Sequence, residues 1–327
     1  MTASLPKHRV EQIQAVMKED LHEHLQVVTG PVTWERIKRY RRIETDREPI
    51  EKALEHYRSG EKILWVCNTV GRAVKFAKEI RNHEPDCRLI VYHSHFKYED
   101  RVKRHGECIE SFRRNEPVIC VATQVAEMSL DISADFLITD LAPIPALIQR
   151  LGRLNRRAVT DNPKPFLIHF PYDENGKSYL LPYGEESPWW EESNKWLEEL
   201  NENSLSQSDL TEAWETVAKG ESVIPDLPSS CYWTAPLEMN HGNLRALSPT
   251  CDVVLKEDLD EIRRKGKTAY LMKVIPMTRP RKNSQMLVKI SRDGYVVAER
   301  DHGITYDPKF GGEWKSTPDG IEGTIIV

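Results

Sequence analysis

Nine residues, Gln149 to Arg157 (QRLGRLNRR), hold the densest chemistry in the chain. The spacing Q-x-x-G-R-x-x-R sets Arg153 and Arg156 three apart, so that on a helix both guanidinium groups point at one spot. Such a pair suits phosphoryl transfer, in which negative charge spreads over three oxygens, and a positioned arginine is worth about 10³–10⁵ in rate there. Gly152 leaves room for close backbone approach. The competing reading is a basic helix end on a solvated surface. A second stretch, ATQVAEMSLDIS (Ala122 to Ser133), directly follows the apolar run VICV. It puts Thr123 and Gln124 at a strand's carboxyl end, where a hydroxyl and an amide can bind nucleic-acid phosphates. Asp131, eight residues on, can accept a hydrogen bond from a ribose hydroxyl. Glu127 is placed to orient this loop rather than to move protons. One loop then joins polymer to nucleotide, which is the coupling a motor needs.

Other polar clusters lead nowhere. Gly176-Lys177-Ser178 imitates a phosphate loop, but Pro171 stands where G-x-x-x-x-G-K-S needs Gly, and Pro182 blocks the following helix. Gly266-Lys267-Thr268 has Glu261 at the same place. His93 and His95 face one side of a strand with no third ligand at metal spacing, and His22 and His24 diverge by about 200° on a helix. No metal site is expected.

The elements that must position these residues lie between 50 and 172. Short runs rich in Val, Ile and Leu (63–66, 88–94, 118–123, 136–142 and 166–170) alternate with helical stretches at 71–83 and 98–115. Continuous apolar runs mark strands covered on both faces, and the intervening lengths imply a parallel α/β sheet with right-handed crossovers. Ligands in such sheets sit outside the carboxyl ends of the strands. Before the sheet, residues 8–28 read as a helix passing into a strand. The stretch from Trp34 to Arg42 is a basic element with five Lys/Arg. After it, an acidic helical region at 185–219 carries Trp189, Trp190, Trp196 and Trp214, whose near-helical spacing suits a core better than base stacking. From 250 the chain reads as a strand-to-helix segment, then as short antiparallel strands at YLMKVIP, MLVKI and YVVAER. The expected organisation is 1–49 as an entry segment, 50–172 as the sheet domain, 173–249 as an acidic helical linker region, and 250–327 as a smaller α+β domain.

At 327 residues the chain has length for two domains. No apolar run reaches the length of a membrane helix and the start lacks a signal peptide, so a cytoplasmic protein is expected. Six scattered cysteines without C-x-x-C spacing read as reduced thiols. The net charge of −5 is uneven: residues 1–160 hold 27 Lys/Arg against 23 Asp/Glu, and residues 161–327 hold 19 against 28. A basic front and an acidic back suit a protein that holds nucleic acid on one part only, or simply domains that differ in surface charge.

TQVAEMSLDIS (123–133), LITDLAPI (137–144) and LIQRLGRLNRR (147–157) resemble motifs V, Va and VI of superfamily-two helicases, and most closely those of the CRISPR-associated type I effector helicase recruited by Cascade. ILWVCNTVGRA (63–73) is similar to motif IV and VYHSHF (91–96) to motif IVa; Thr2 to Pro6 resembles motif III, which ends the first RecA-like domain. The resemblance implies a second RecA-like domain followed by an accessory C-terminal domain. It implies that Arg153 and Arg156 meet the γ-phosphate of ATP, that Asp131 with Ser129 contacts the nucleotide, and that Gln149 orders the cleft. It assigns Asn68, Thr69, His93, Ser94, Thr123 and Gln124 to single-stranded DNA. Magnesium and most phosphate contacts would come from a first RecA-like domain, without which this chain should lack ATPase activity. The alternatives are a non-catalytic fragment or internal-start product that binds DNA or Cascade, and a superfamily-two helicase acting on RNA.

Overall fold

The computed structural model describes residues 7–20, 22, 24, 26–27, 32–44, 48–172, 180–184, 188–200, 204–217, 250–278, 288–291, 295–298 and 304–314. The chain divides into two compact units, one of residues 1–94 and 101–219, the other of 95–100 and 220–327.

In the first unit, helices α1 (Lys7–Asp20) and α2 (Val32–Glu35) precede strand β1 (Tyr40–Arg42). The alternation then runs α3 (Pro49–Arg58), β2 (Lys62–Val66), α4 (Val70–His83), β3 (Leu89–Tyr92), α5 (Tyr98–Arg113) and β4 (Val118–Ala122). It continues with α6 (Val125–Ser129), β5 (Phe136–Asp140), α7 (Ile144–Leu151), β6 (Lys164–His169), α8 (Trp189–Glu199) and α9 (Gln207–Val217). The six strands form one sheet in the order β1-β6-β5-β2-β4-β3, and every neighbouring pair is parallel. This is the expected RecA-like architecture. The strands β4 and β5 are buried along their whole length, as runs sandwiched between helices must be. Helix α4 buries Ala73, Val74, Ala77 and Ile80, one stripe at helical spacing, and Thr69 caps its start by accepting from the Arg72 amide.

Three readings change. The basic stretch around 40 supplies edge strand β1, whose Tyr40 is fully buried while Arg41 points to solvent. Of residues 21–28, those described carry no strand. The acidic region expected as a linker instead packs on the sheet unit: Trp189, Trp196, Leu197, Leu205 and Leu210 join its core, and the Ser193 hydroxyl donates to the Ala142 carbonyl (2.9 Å).

The second unit has strands β7 (Thr250–Leu255), β8 (Ile275–Thr278), β9 (Val288–Ile290), β10 (Val296–Ala298), β11 (Ile304–Asp307) and β12 (Gly311–Trp314), with helices α10 (Leu259–Lys265) and α11 (Lys267–Lys273). One sheet runs β8-β7-β10-β9, the other pairs β11 with β12. Two expectations fail here. Tyr270 to Lys273 end a helix rather than open a strand, because Gly266 at φ 69° breaks α10 and restarts the chain as α11. Strand β10 is antiparallel to β9 but parallel to β7. Within this unit Lys97, nearly buried, lies 2.6 Å from the Asp258 carboxylate, and the Tyr306 hydroxyl donates to Asp100 (2.5 Å).

Candidate nucleotide and strand sites

Helix α7 ends at Leu151, so Arg153 and Arg156 lie beyond it, in turns. What brings them together is not helical spacing. A short parallel bridge joins Ala134 to Leu154: the Ala134 amide donates to the Arg153 carbonyl and the Asn155 amide to the Ala134 carbonyl, both at 2.9 Å. Between the arginines Asn155 takes φ 48°, a left-handed turn that asparagine tolerates, and its side-chain Nδ2 donates to the Arg39 and Asn162 carbonyls. Gly152 fits because a Cβ there would stand 3.2 Å from the Gln149 carbonyl oxygen.

The turn aims both guanidinium groups at the loop after β4. Arg153 Nε donates to the Ala126 carbonyl (3.1 Å) and Nη2 to the Glu127 carbonyl (2.5 Å). Arg156 Nε lies 3.1 Å from Asp131 Oδ1, with both side chains substantially exposed (43% and 65%). Burial, and then the positive charge of Arg156, hold the Arg153 pKa below the ordinary guanidinium value, while Asp131 and Glu127 oppose this. Three of the expected nucleotide residues, Arg153, Arg156 and Asp131, thus converge. Gln149 is half-buried on α7. The side chain of Ser129 lies outside the described residues.

The residues expected to hold DNA gather elsewhere, at the carboxyl edge formed by the ends of β2, β3 and β4. Thr69, Ser94 and Gln124 are partly exposed there. Asn68, His93 and Thr123 are buried, which corrects their reading as direct side-chain ligands. Asn68 is consumed internally: its amide nitrogen donates to the Leu141 carbonyl (2.7 Å), its oxygen accepts from Arg150 (3.1 Å), and its carbonyl accepts from Gln124 (2.7 Å).

Two charged groups that the sequence reading passed over organise this edge. Arg150, with no exposed surface, fills all five of its donor positions: Nε to Glu127 Oε1 (2.9 Å), Nη1 to Thr139 Oγ1 (2.9 Å) and the Asp140 carbonyl (3.0 Å), Nη2 to Asn68 Oδ1 (3.1 Å) and the Tyr183 hydroxyl (3.0 Å). Asp140, also fully buried, accepts two hydrogen bonds from Arg72 (2.9 and 2.8 Å) and one from the Asn68 backbone amide (2.9 Å), and His169 Nδ1 lies 2.9 Å from it. The apolar spacing of α7 marked Leu147, Ile148 and Leu151 as inward. Arg150 shares that face, and this was the available signal for it.

Among the described residues no three His, Cys, Asp or Glu side chains group as metal ligands. No described helix is long and apolar enough to cross a membrane.

Residues 59–159 match the family described as CRISPR-associated nuclease/helicase Cas3, C-terminal. A CRISPR-associated nuclease/helicase from Myxococcus xanthus is 36% identical over 321 residues, 96% of this chain and 41% of that protein. The chain thus spans about two fifths of its relative's length. Among solved structures, a CRISPR-associated protein aligns with a TM-score of 0.68 at 18% identity over 96% of this chain and 47% of that one. A crystal structure of T. fusca Cas3-ATP aligns with a TM-score of 0.59 at 16% identity over 89% of this chain and 43% of that one. At these identities the structures establish the fold alone.

Proposed function

The chain is related over 96% of its length to Cas3-type nuclease/helicases, in their C-terminal helicase half, and on that premise we propose that it forms one wall of the ATP site and the strand-holding face of a single-stranded DNA motor. The observation that carries this reading is the convergence of Arg153 and Arg156 on the 126–131 segment, with Arg156 held by an exposed pair to Asp131 and a long hydrogen bond to the Gly152 carbonyl (3.3 Å). An exposed ion pair is worth about 0–1 kcal/mol, so a phosphate can displace it at little cost. Arg153 and Arg156 then meet the γ-phosphate and the charge that develops on it, Asp131 with Ser129 takes the ribose side, and Gln149 helps to order the cleft. A phosphate-binding RecA-like domain supplies the opposite wall and magnesium. The DNA backbone runs over the start of α4, where Thr69 and the first helix amides lie at the edge, and past Ser94 and Gln124. Asn68, His93 and Thr123 serve from inside by shaping that edge. Cascade delivers the strand.

The 327 residues contain no Gly-rich phosphate loop, so this polypeptide alone hydrolyses no ATP. The test is to mix it with the phosphate-loop RecA-like domain of a relative and to measure ATP hydrolysis with and without single-stranded DNA. DNA-stimulated hydrolysis should appear only in the mixture and fall about 10³-fold with Arg156→Ala. Stimulated hydrolysis by this chain alone, or an Arg156→Ala mixture as active as wild type, would overturn the reading.

A further inference from the structure

We infer that Glu127 and Arg150 form a positioning pair that transmits the state of Arg153 to the strand-holding edge; the inference rests on the motor reading above. Helix α6 is gripped from two sides at Glu127. Its main chain is held by the nucleotide-side arginine, since Arg153 donates to the carbonyls of Ala126 and Glu127. Its side chain is held by Arg150 Nε at 2.9 Å. Arg150 also donates to Asn68 Oδ1, and Gln124, immediately before α6, donates to the Asn68 carbonyl. The bonds close a ring: Asn68 to Arg150, Arg150 to Glu127, along α6 to Gln124, and back to Asn68.

A ring of this kind moves as one body. When Arg153 turns toward a phosphate it must release two carbonyls of α6, while the Glu127 carboxylate stays held by Arg150. Arg150 cannot yield independently, because each of its five N–H groups is already committed inside a site without exposed surface. A shift of α6 is therefore passed to Asn68, whose next residue, Thr69, caps α4 at the edge. Glu127 touches neither nucleotide nor strand. Its role is positional.

The experiment is amide hydrogen exchange on the full chain, in four forms: wild type, Arg153→Ala, Glu127→Gln and the double variant. Glu127→Gln keeps the side chain's size but replaces the charge-assisted bond to Arg150 by a weaker neutral one, which loosens the ring there, and folding is checked by the exchange of β2 and β4. Arg153→Ala should speed exchange about tenfold both in 125–131 and in 68–72. In the Glu127→Gln background it should speed 125–131 alone. If 68–72 ignores Arg153→Ala, or responds equally in both backgrounds, the linkage does not exist. In the two-domain hydrolysis mixture, Glu127→Gln should leave unstimulated hydrolysis within about twofold and raise the DNA concentration for half-maximal stimulation about tenfold; an unchanged DNA requirement counts against the pair. Failure of the wild-type mixture to hydrolyse ATP would refute the motor reading, while the exchange result would still decide the linkage.

Discussion

Asp140 has no exposed surface, a position that by itself raises a carboxyl pKa, yet hydrogen bonds from Arg72 and His169 outweigh burial and pull it down from 3.8 to about 2. A carboxylate depressed on folding stabilises the native state at every pH above its unfolded value. That contribution, about 2 kcal/mol from the size of the shift, is lost as pH falls from about 4 through about 2. Urea unfolding of wild type and Asp140→Asn between pH 7 and pH 2 measures it. The stability difference between the two should be constant above about pH 4 and shrink below it, and a difference that stays level to pH 2 would mean that Asp140 is not held ionised by its partners. The same accounting separates the arginines of this site. Arg72 and Arg150 neutralise buried acceptors and belong to the fold, whereas Arg156 stands half in water on a screened pair and is free to exchange partners.

At the scale of elements, the proposed strand path is tested most directly at the start of α4. Gly71 there is exposed, and a side chain built on it would meet nothing within 4 Å. Gly71→Glu places a carboxylate in the first turn, where it favours the helix by about 0.3–1 kcal/mol but repels an incoming phosphate. Thermal stability should hold or rise while affinity for a labelled oligothymidine falls about tenfold; unchanged affinity would move the strand away from this helix. How much of this was legible in the sequence differs by element. The central strands could be read because burial on both faces forces unbroken Val, Ile and Leu, as in KILWV and FLITD. Strand β1 could not, since an edge strand needs only Tyr40 inside and its neighbours are arginines. YLMK misled because four apolar or amphipathic residues carry no period, and Gly266 decided the matter. In the site, the arginine spacing showed which residues meet but not how: a bridge and a left-handed Asn155 do what a helix was expected to do. The resemblance to motif IV assigned Asn68 to DNA, and a motif match cannot tell a polar residue facing a strand from one facing a buried arginine.

Across the whole molecule, the net charge of −5 divides into +4 on residues 1–160 and −9 on the remainder, a split that suits the proposed hold on a polyanion by one part of the chain. The field of the acidic half reaches only about 10 Å at 0.1 M salt, so it acts on the strand mainly when salt is low. The groups placed at the edge, Thr69, Ser94, Gln124 and the amides that open α4, are neutral donors rather than lysines or arginines. Neutral donors displace few counterions. For single strands the slope of log affinity against log salt is about −0.7 for each phosphate neutralised by a cation, so binding through neutral donors with at most one cationic contact gives a slope no steeper than about −1. Titrating labelled oligothymidine with the chain between about 50 and 200 mM salt measures this slope. A value near −1 supports a strand held by helix amides and hydroxyls. A slope steeper than about −4 would place the strand on a track of basic side chains instead, and the carboxyl edge of the sheet would no longer be where DNA lies.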